Sequence, residues 1–94
     1  MNKAEQLFMV KALKRGGQYL YPKEIAFELV KECEKEKIRL LGIDGFLITD
    51  KSIQPNMSYS VDFSSSLFEG NVYNKAIDLL EESPDNLFFE IICE

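Results

Sequence analysis

Asp78 and Glu82 lie one helical turn apart near the end of a 94-residue chain. Carboxylates at that spacing share a helix face, where they can hold a hard cation or divide acid and base work between them. More often such a pair is simply a solvated helix face. No other catalytic set is at hand. The chain has no histidine and no tryptophan, so neither a Ser/His/Asp nor a Cys/His nucleophile can be assembled. Cys33 and Cys93 are too widely separated for the usual zinc ligand sets. Gly16-Gly17 is too short to cradle a phosphate, and no Walker or dinucleotide pattern follows a strand. The reading is a protein without catalytic residues, metal or cofactor.

Charge is more informative in its distribution than in its sum. Residues 1–51 carry a net charge of about +2, whereas residues 52–94 hold Lys75 alone against eight acids. Those acids are Asp62, Glu69, Asp78, Glu81, Glu82, Asp85, Glu90 and Glu94. An acidic half suits a basic partner, steered by long-range attraction that salt weakens. Tyr59, Phe68 and Tyr73 punctuate this half, and aromatic rings among charges are common interface anchors. Each ring taken singly reads more readily as core. Together, Tyr59, Asp62, Phe68, Glu69, Tyr73, Asp78, Glu81, Glu82 and Asp85 form the candidate partner-binding set. Lys11, Lys14 and Arg15 are a small basic cluster that a helix C-terminus already explains, so direct nucleic-acid binding is not expected.

The elements that would position these residues follow from periodicity. Residues Lys3 to Arg15 read as a first helix, with Gly16-Gly17 as its left-handed cap. Gln18 to Tyr21 reads as a connector. Pro22 suits the start of a second helix, in which Ile25, Ala26, Leu29, Val30 and Cys33 form a core stripe ending near Lys37. Ile38 to Ile43 reads as a strand closed by an Asp44-Gly45 turn, with Phe46-Leu47-Ile48 returning beside it. Thr49 to Met57 has a loop composition. Tyr59, Val61 and Phe63 alternate with polar residues as a strand with one wet face. Ser64 to Asn71 brackets a short aromatic bend containing Phe68. Asn71 caps a last helix, Val72 to Glu82, with Ala76, Ile77 and Leu80 inward. Ser83-Pro84-Asp85-Asn86 stops it, and Leu87 to Cys93 is apolar enough to lie inside a sheet. The expected architecture is a single α+β domain: a small antiparallel sheet with helices on one face, the other face being available to a partner.

Composition is that of an ordinary globular domain, 46% apolar and 29% charged. No apolar run approaches the ~20 residues of a membrane helix, and Met-Asn-Lys-Ala-Glu-Gln does not open a signal peptide. Both cysteines read as buried thiols, so a reduced, cytoplasmic protein is the expectation.

The block from Tyr21-Pro22-Lys23 through Lys35-Glu36-Lys37 to Leu40-Leu41-Gly42-Ile43-Asp44-Gly45 resembles a known family. It is similar to the immunity proteins that protect bacteria from the E-group colicin whose toxin domain cuts tRNA anticodon loops. Ser58-Tyr59-Ser60-Val61-Asp62, Asn74-Lys75-Ala76-Ile77 and Leu87-Phe88-Phe89-Glu90-Ile91-Ile92 extend the likeness over about residues 21–93. The resemblance implies a non-enzymatic cytosolic protein that binds a basic ribonuclease domain and occupies the cleft where RNA would lie. It places the family-like core at residues 21–94, beside which residues 1–20 read as an N-terminal helix extension. Two departures stand out: the extension itself, and Phe46-Leu47 where the family has an aromatic pair with polar ring atoms. The alternative reading is a non-enzymatic interaction module or small oligomeric subunit that uses its exposed sheet or added helix to dimerise.

Overall fold

The computed structural model describes residues 2–64 and 71–94. The aromatic bend expected around Phe68, with Phe68 and Glu69 themselves, lies outside the described residues.

The chain begins with a short helix, α1 (Lys3–Phe8), closed by a capping box in which the Asn2 side chain accepts from the Glu5 N–H and the Glu5 carboxylate accepts from the Asn2 N–H. The Asn2 amide also donates to the Cys93 sulfur at 3.1 Å and to the Glu94 carbonyl, which ties the two ends of the chain together. The first helix is therefore shorter than its periodicity suggested. After a 3-10 turn at Met9–Lys11 the chain enters strand β1 (Leu13–Arg15). Gly16 and Gly17 have φ of 55° and 81°. Two consecutive positive φ values make the tight hairpin turn that returns the chain as β2 (Gln18–Pro22), so neither glycine caps a helix. Beyond α1, this N-terminal segment supplies β1 and most of β2 to the sheet, where periodicity suggested helix and connector.

Pro22, at φ −62° and ψ 160°, starts α2 (Lys23–Lys35). Ala26, Leu29, Val30 and Cys33 are its buried stripe, as the spacing required. The helix ends on Lys37 at φ 57°, where the Ile38 N–H reaches back to the Cys33 carbonyl at 2.8 Å.

Strand β3 (Leu40–Ile48) runs straight through Asp44 and Gly45, so these residues do not turn the chain. Its antiparallel partner across a four-residue turn is β4 (Ile53–Asp62), which takes in most of the stretch that read as loop. Pro55 is accommodated because β4 pairs only with β3 and so lies at the sheet edge. Helix α3 (Val72–Glu82) is capped by the Asn71 side chain accepting from the Asn74 N–H at 3.1 Å. Strand β5 (Leu87–Cys93) closes the fold in the centre of a sheet ordered β1-β2-β5-β3-β4, antiparallel throughout.

The cross-strand register sorts side chains by face. The pairs Ile43–Ile91, Gly45–Phe89 and Leu47–Leu87 point one way, against α2 and α3. Burying Phe89, Ile43 and Leu40 under Leu29, Val30 and Leu80 makes the main core, and Ala4 and Phe8 extend it from α1. The pairs Gly42–Ile92, Asp44–Glu90 and Phe46–Phe88 point the other way, where no helix among the described residues packs. The result is one compact α+β domain with one sheet face packed by the helices and a second face, termed uncovered, that no described helix covers although Leu20 is fully buried there.

Candidate partner-binding surface

Asp44 and Glu90 occupy facing positions on the uncovered side of β3 and β5. Every immediate neighbour of Glu90 along β5 is apolar, and Asp44 sits between Ile43 and Gly45 in an otherwise apolar strand. Like charges directly opposite in an antiparallel pair repel, and here the repulsion acts on half-buried groups. Burial, and then the charge of Asp62, hold the Asp44 carboxyl above its ordinary range. Burial, and then the charge of Asp44, do the same for Glu90, against a weak opposing hydrogen bond from the Gln18 amide at 3.4 Å. Asp62, at the end of β4, is shifted the other way. Its Oδ1 accepts from the Ser64 hydroxyl at 2.6 Å and the Ser64 N–H at 2.8 Å, which favours the charged form.

Among the described residues, no cation pairs with these three carboxylates. The ion pairs among the described residues are Lys23–Asp85 and Arg39–Glu94, both elsewhere. Arg15 shares the uncovered face but stands on the far edge strand, with β2 between it and β5. Around the acids the face is apolar: Leu20 and Phe46 are buried there outside the helix-side cluster, and Ile92 remains 38% exposed.

Two irregularities in β3 pairing flank Asp44. The register with β5 slips between Leu40 and Gly42, and the register with β4 slips between Ile43 and Gly45. Opposite Gly45, β4 bulges through residues 57–60, and the Ser60 hydroxyl repairs the ladder by accepting from the Gly45 N–H at 3.1 Å and donating to the Asn56 carbonyl at 2.9 Å. A Cβ on Gly45 would lie 2.9 Å from the Tyr59 carbonyl oxygen, so only glycine lets the bulge cross. Beside the other slip, a cleft of about 370 Å³ opens between Gly42, Asp44, Val61, Asp62 and Ser64, with Leu41 and Ile92 as its apolar lining.

No family model, curated protein or solved structure matches the chain. The geometry therefore stands by itself as evidence about function. Among the described residues, no group of three His, Cys, Asp or Glu side chains is placed to hold a metal ion. No helix among them is long and apolar enough to cross a membrane.

The residues singled out from sequence divide between the two sides of the sheet. Asp62 is on the uncovered face. Asp78, Glu81 and Glu82 are exposed on α3, on the covered side, and do not meet it. Asp85 lies 3.4 Å from the Lys23 ammonium, which also donates to the Ser83 carbonyl at 2.7 Å and so caps the C-terminus of α3. The Tyr59 ring packs against the helix-side core from within the bulge. The Tyr73 hydroxyl donates to the Ile38 carbonyl at 2.6 Å, which pins the first turn of α3 to the entry of β3. Asp44 and Glu90 were the residues that sequence reasoning passed over as partner contacts. The signal was present: each is a single charge inside an apolar strand.

Proposed function

We propose that the chain is a toxin-neutralising immunity protein, acting in the bacterial cytoplasm, that binds a basic nuclease domain and occludes its substrate cleft. It does so without catalysis. The observation that carries this reading is the Asp44–Glu90 pair, joined by Asp62, on the sheet face away from the helices, with no compensating cation among the described residues. A free protein that holds like charges in register stores repulsion that an incoming cation relieves. Carboxylates set among Phe46, Phe88 and Ile92 can stand in for phosphates flanked by bases, which is what a ribonuclease cleft is shaped to receive. The net charge of −5 adds attraction at long range. The resemblance over residues 21–93 points the same way. Its Leu-Gly-Ile-Asp-Gly segment has a physical role here, since Gly42 opens the cleft, Asp44 charges it and Gly45 admits the bulge. The exposed acids of α3 then serve steering more than contact.

Co-expression with basic toxin nuclease domains, starting with any that is encoded beside the gene, tests this reading. Survival with a salt-sensitive complex is the expected result. Cell death, or a complex indifferent to charge reversal at Asp44 and Glu90, would overturn it.

A second reading has its own observation. Leu7 and Val10 are 60% and 84% exposed near the end of α1, an apolar patch that suits self-association. A small homo-oligomeric subunit would sediment as a dimer that Val10→Lys dissociates, and would show no affinity for basic nucleases.

A further inference from the structure

Building on the toxin-binding reading, we infer that the cleft between β3 and β4 seats a single arginine side chain of the basic partner, its guanidinium held between Asp44 and Asp62. The occupant follows from size, wall chemistry and charge. At about 370 Å³ the cleft is at the small end of ligand-sized pockets, which span roughly 300–1,000 Å³. That suits one side chain better than a base or a helix. Leu41 and Ile92 supply aliphatic wall for a methylene stem, and Val61 borders the cleft with its backbone carbonyl.

The two carboxylates supply the polar end, and they are not equivalent. Asp62 is exposed and fixed by its two Ser64 hydrogen bonds, both of which use Oδ1 and not Oδ2. Asp44 is half-buried between the charges of Asp62 and Glu90 and accepts no hydrogen bond within the described residues that would quiet it. A planar fork of five donors bridges two carboxylates; a compact ammonium ion addresses one point between them. Arginine also gives up hydration more readily, which matters against an apolar wall. Depth comes from Gly42: a Cβ there would sit 3.1 Å from the Val61 carbonyl oxygen and 3.6 Å from Ile92 Cδ1.

The test is an amide-resolved NMR titration of the full chain with N-acetyl-arginine amide, run beside N-acetyl-lysine amide and N-acetyl-citrulline amide. Citrulline keeps the shape of arginine and removes its charge. The arginine probe is expected to give saturable shifts at Gly42, Asp44, Val61 and Asp62, with lysine roughly tenfold weaker and citrulline silent. Asp44→Asn and Asp62→Asn should each abolish saturation while the remaining spectrum stays folded. Equal responses to arginine and lysine, or shifts centred on α3, would overturn the inference. A parallel pull-down with the toxin domain separates the two claims. A toxin that binds Asp44→Asn/Asp62→Asn as tightly as the unsubstituted chain overturns the arginine seat and leaves the immunity reading intact. A saturating arginine probe with no toxin binding supports the seat and removes the immunity reading.

Discussion

The carboxylates of Asp44 and Glu90 face each other across neighbouring antiparallel strands, one on β3 and one on β5, in the middle of an uncovered sheet. A sheet that only had to fold would place an apolar or oppositely charged pair there. The pairing therefore costs the isolated fold stability, and that cost can be measured.

Asp44→Asn removes one of the like charges and should stabilise the isolated protein at neutral pH by roughly 0.2–1 kcal/mol. The pH dependence has a definite sign. Both carboxyls titrate above their ordinary range in the folded protein, so across that window the folded state holds more protons than the unfolded one. Stability from this pair consequently falls as pH rises through the raised values, and is recovered on acidification towards the ordinary carboxylate range. Asp62 works in the opposite sense and at lower pH, since its depressed value gives stability that acid removes. Urea midpoints taken from pH 4 to 7 should show a downward slope that Asp44→Asn flattens.

Gly45→Ala should destabilise by about 1–3 kcal/mol, because its Cβ would meet backbone and not a side chain that can swing away. Ser60→Ala should cost a similar ~1–3 kcal/mol by leaving the Gly45 N–H and Asn56 carbonyl unpartnered at the bulge. Chemical denaturation of the two variants checks both values.

These two residues also show what the sequence conceals. The stripe of Ala26, Leu29, Val30 and Cys33, the Asn71 cap and the continuous apolar run of β5 were all readable, because each depends on neighbours within a few turns. Asp44-Gly45 carries the local signature of a turn, yet the chain passes straight through, held by Glu90 and Phe89 from a strand some 45 residues away in sequence. Leu13–Arg15 has helix-compatible composition and becomes a strand because Gly16 and Gly17 fold Gln18–Pro22 back against it. Pro55 and Asn56 look like loop residues, and an edge strand tolerates them. The acidic half was visible as a sum of charge. Which acids share a face was not, since that depends on register between strands distant in sequence.

Tyr73→Phe should lower stability by about 0.5–1.5 kcal/mol through loss of the hydrogen bond to Ile38 and leave partner affinity unchanged. Paired measurements of denaturation midpoint and partner Kd decide the matter. A loss of affinity without loss of stability would return Tyr73 to the interface.

Cys33 and Cys93 are free thiols in mutual contact, and their chemistry is expected to differ. The hydrogen bond with Cys93, and then burial, push the Cys33 thiol up; the same bond, helped by the Asn2 amide, draws the half-buried Cys93 down. Brief iodoacetamide treatment of the folded protein should label Cys93 first and leave Cys33 untouched, as peptide mass mapping would report.

The most direct test of the central claim compares charge reversal on the two sides of the sheet. Affinity for the toxin nuclease domain that the proposed function requires would be measured for Asp44→Lys/Glu90→Lys and, separately, for Glu81→Lys/Glu82→Lys. If the uncovered face is the docking surface, the first pair should weaken binding by at least about 100-fold, as loss of central charge contacts does. The α3 pair should cost only a few-fold, mostly in association rate and mostly at low salt. Strong loss from the α3 pair with little from the sheet pair would contradict the account and move the interface to the helical side.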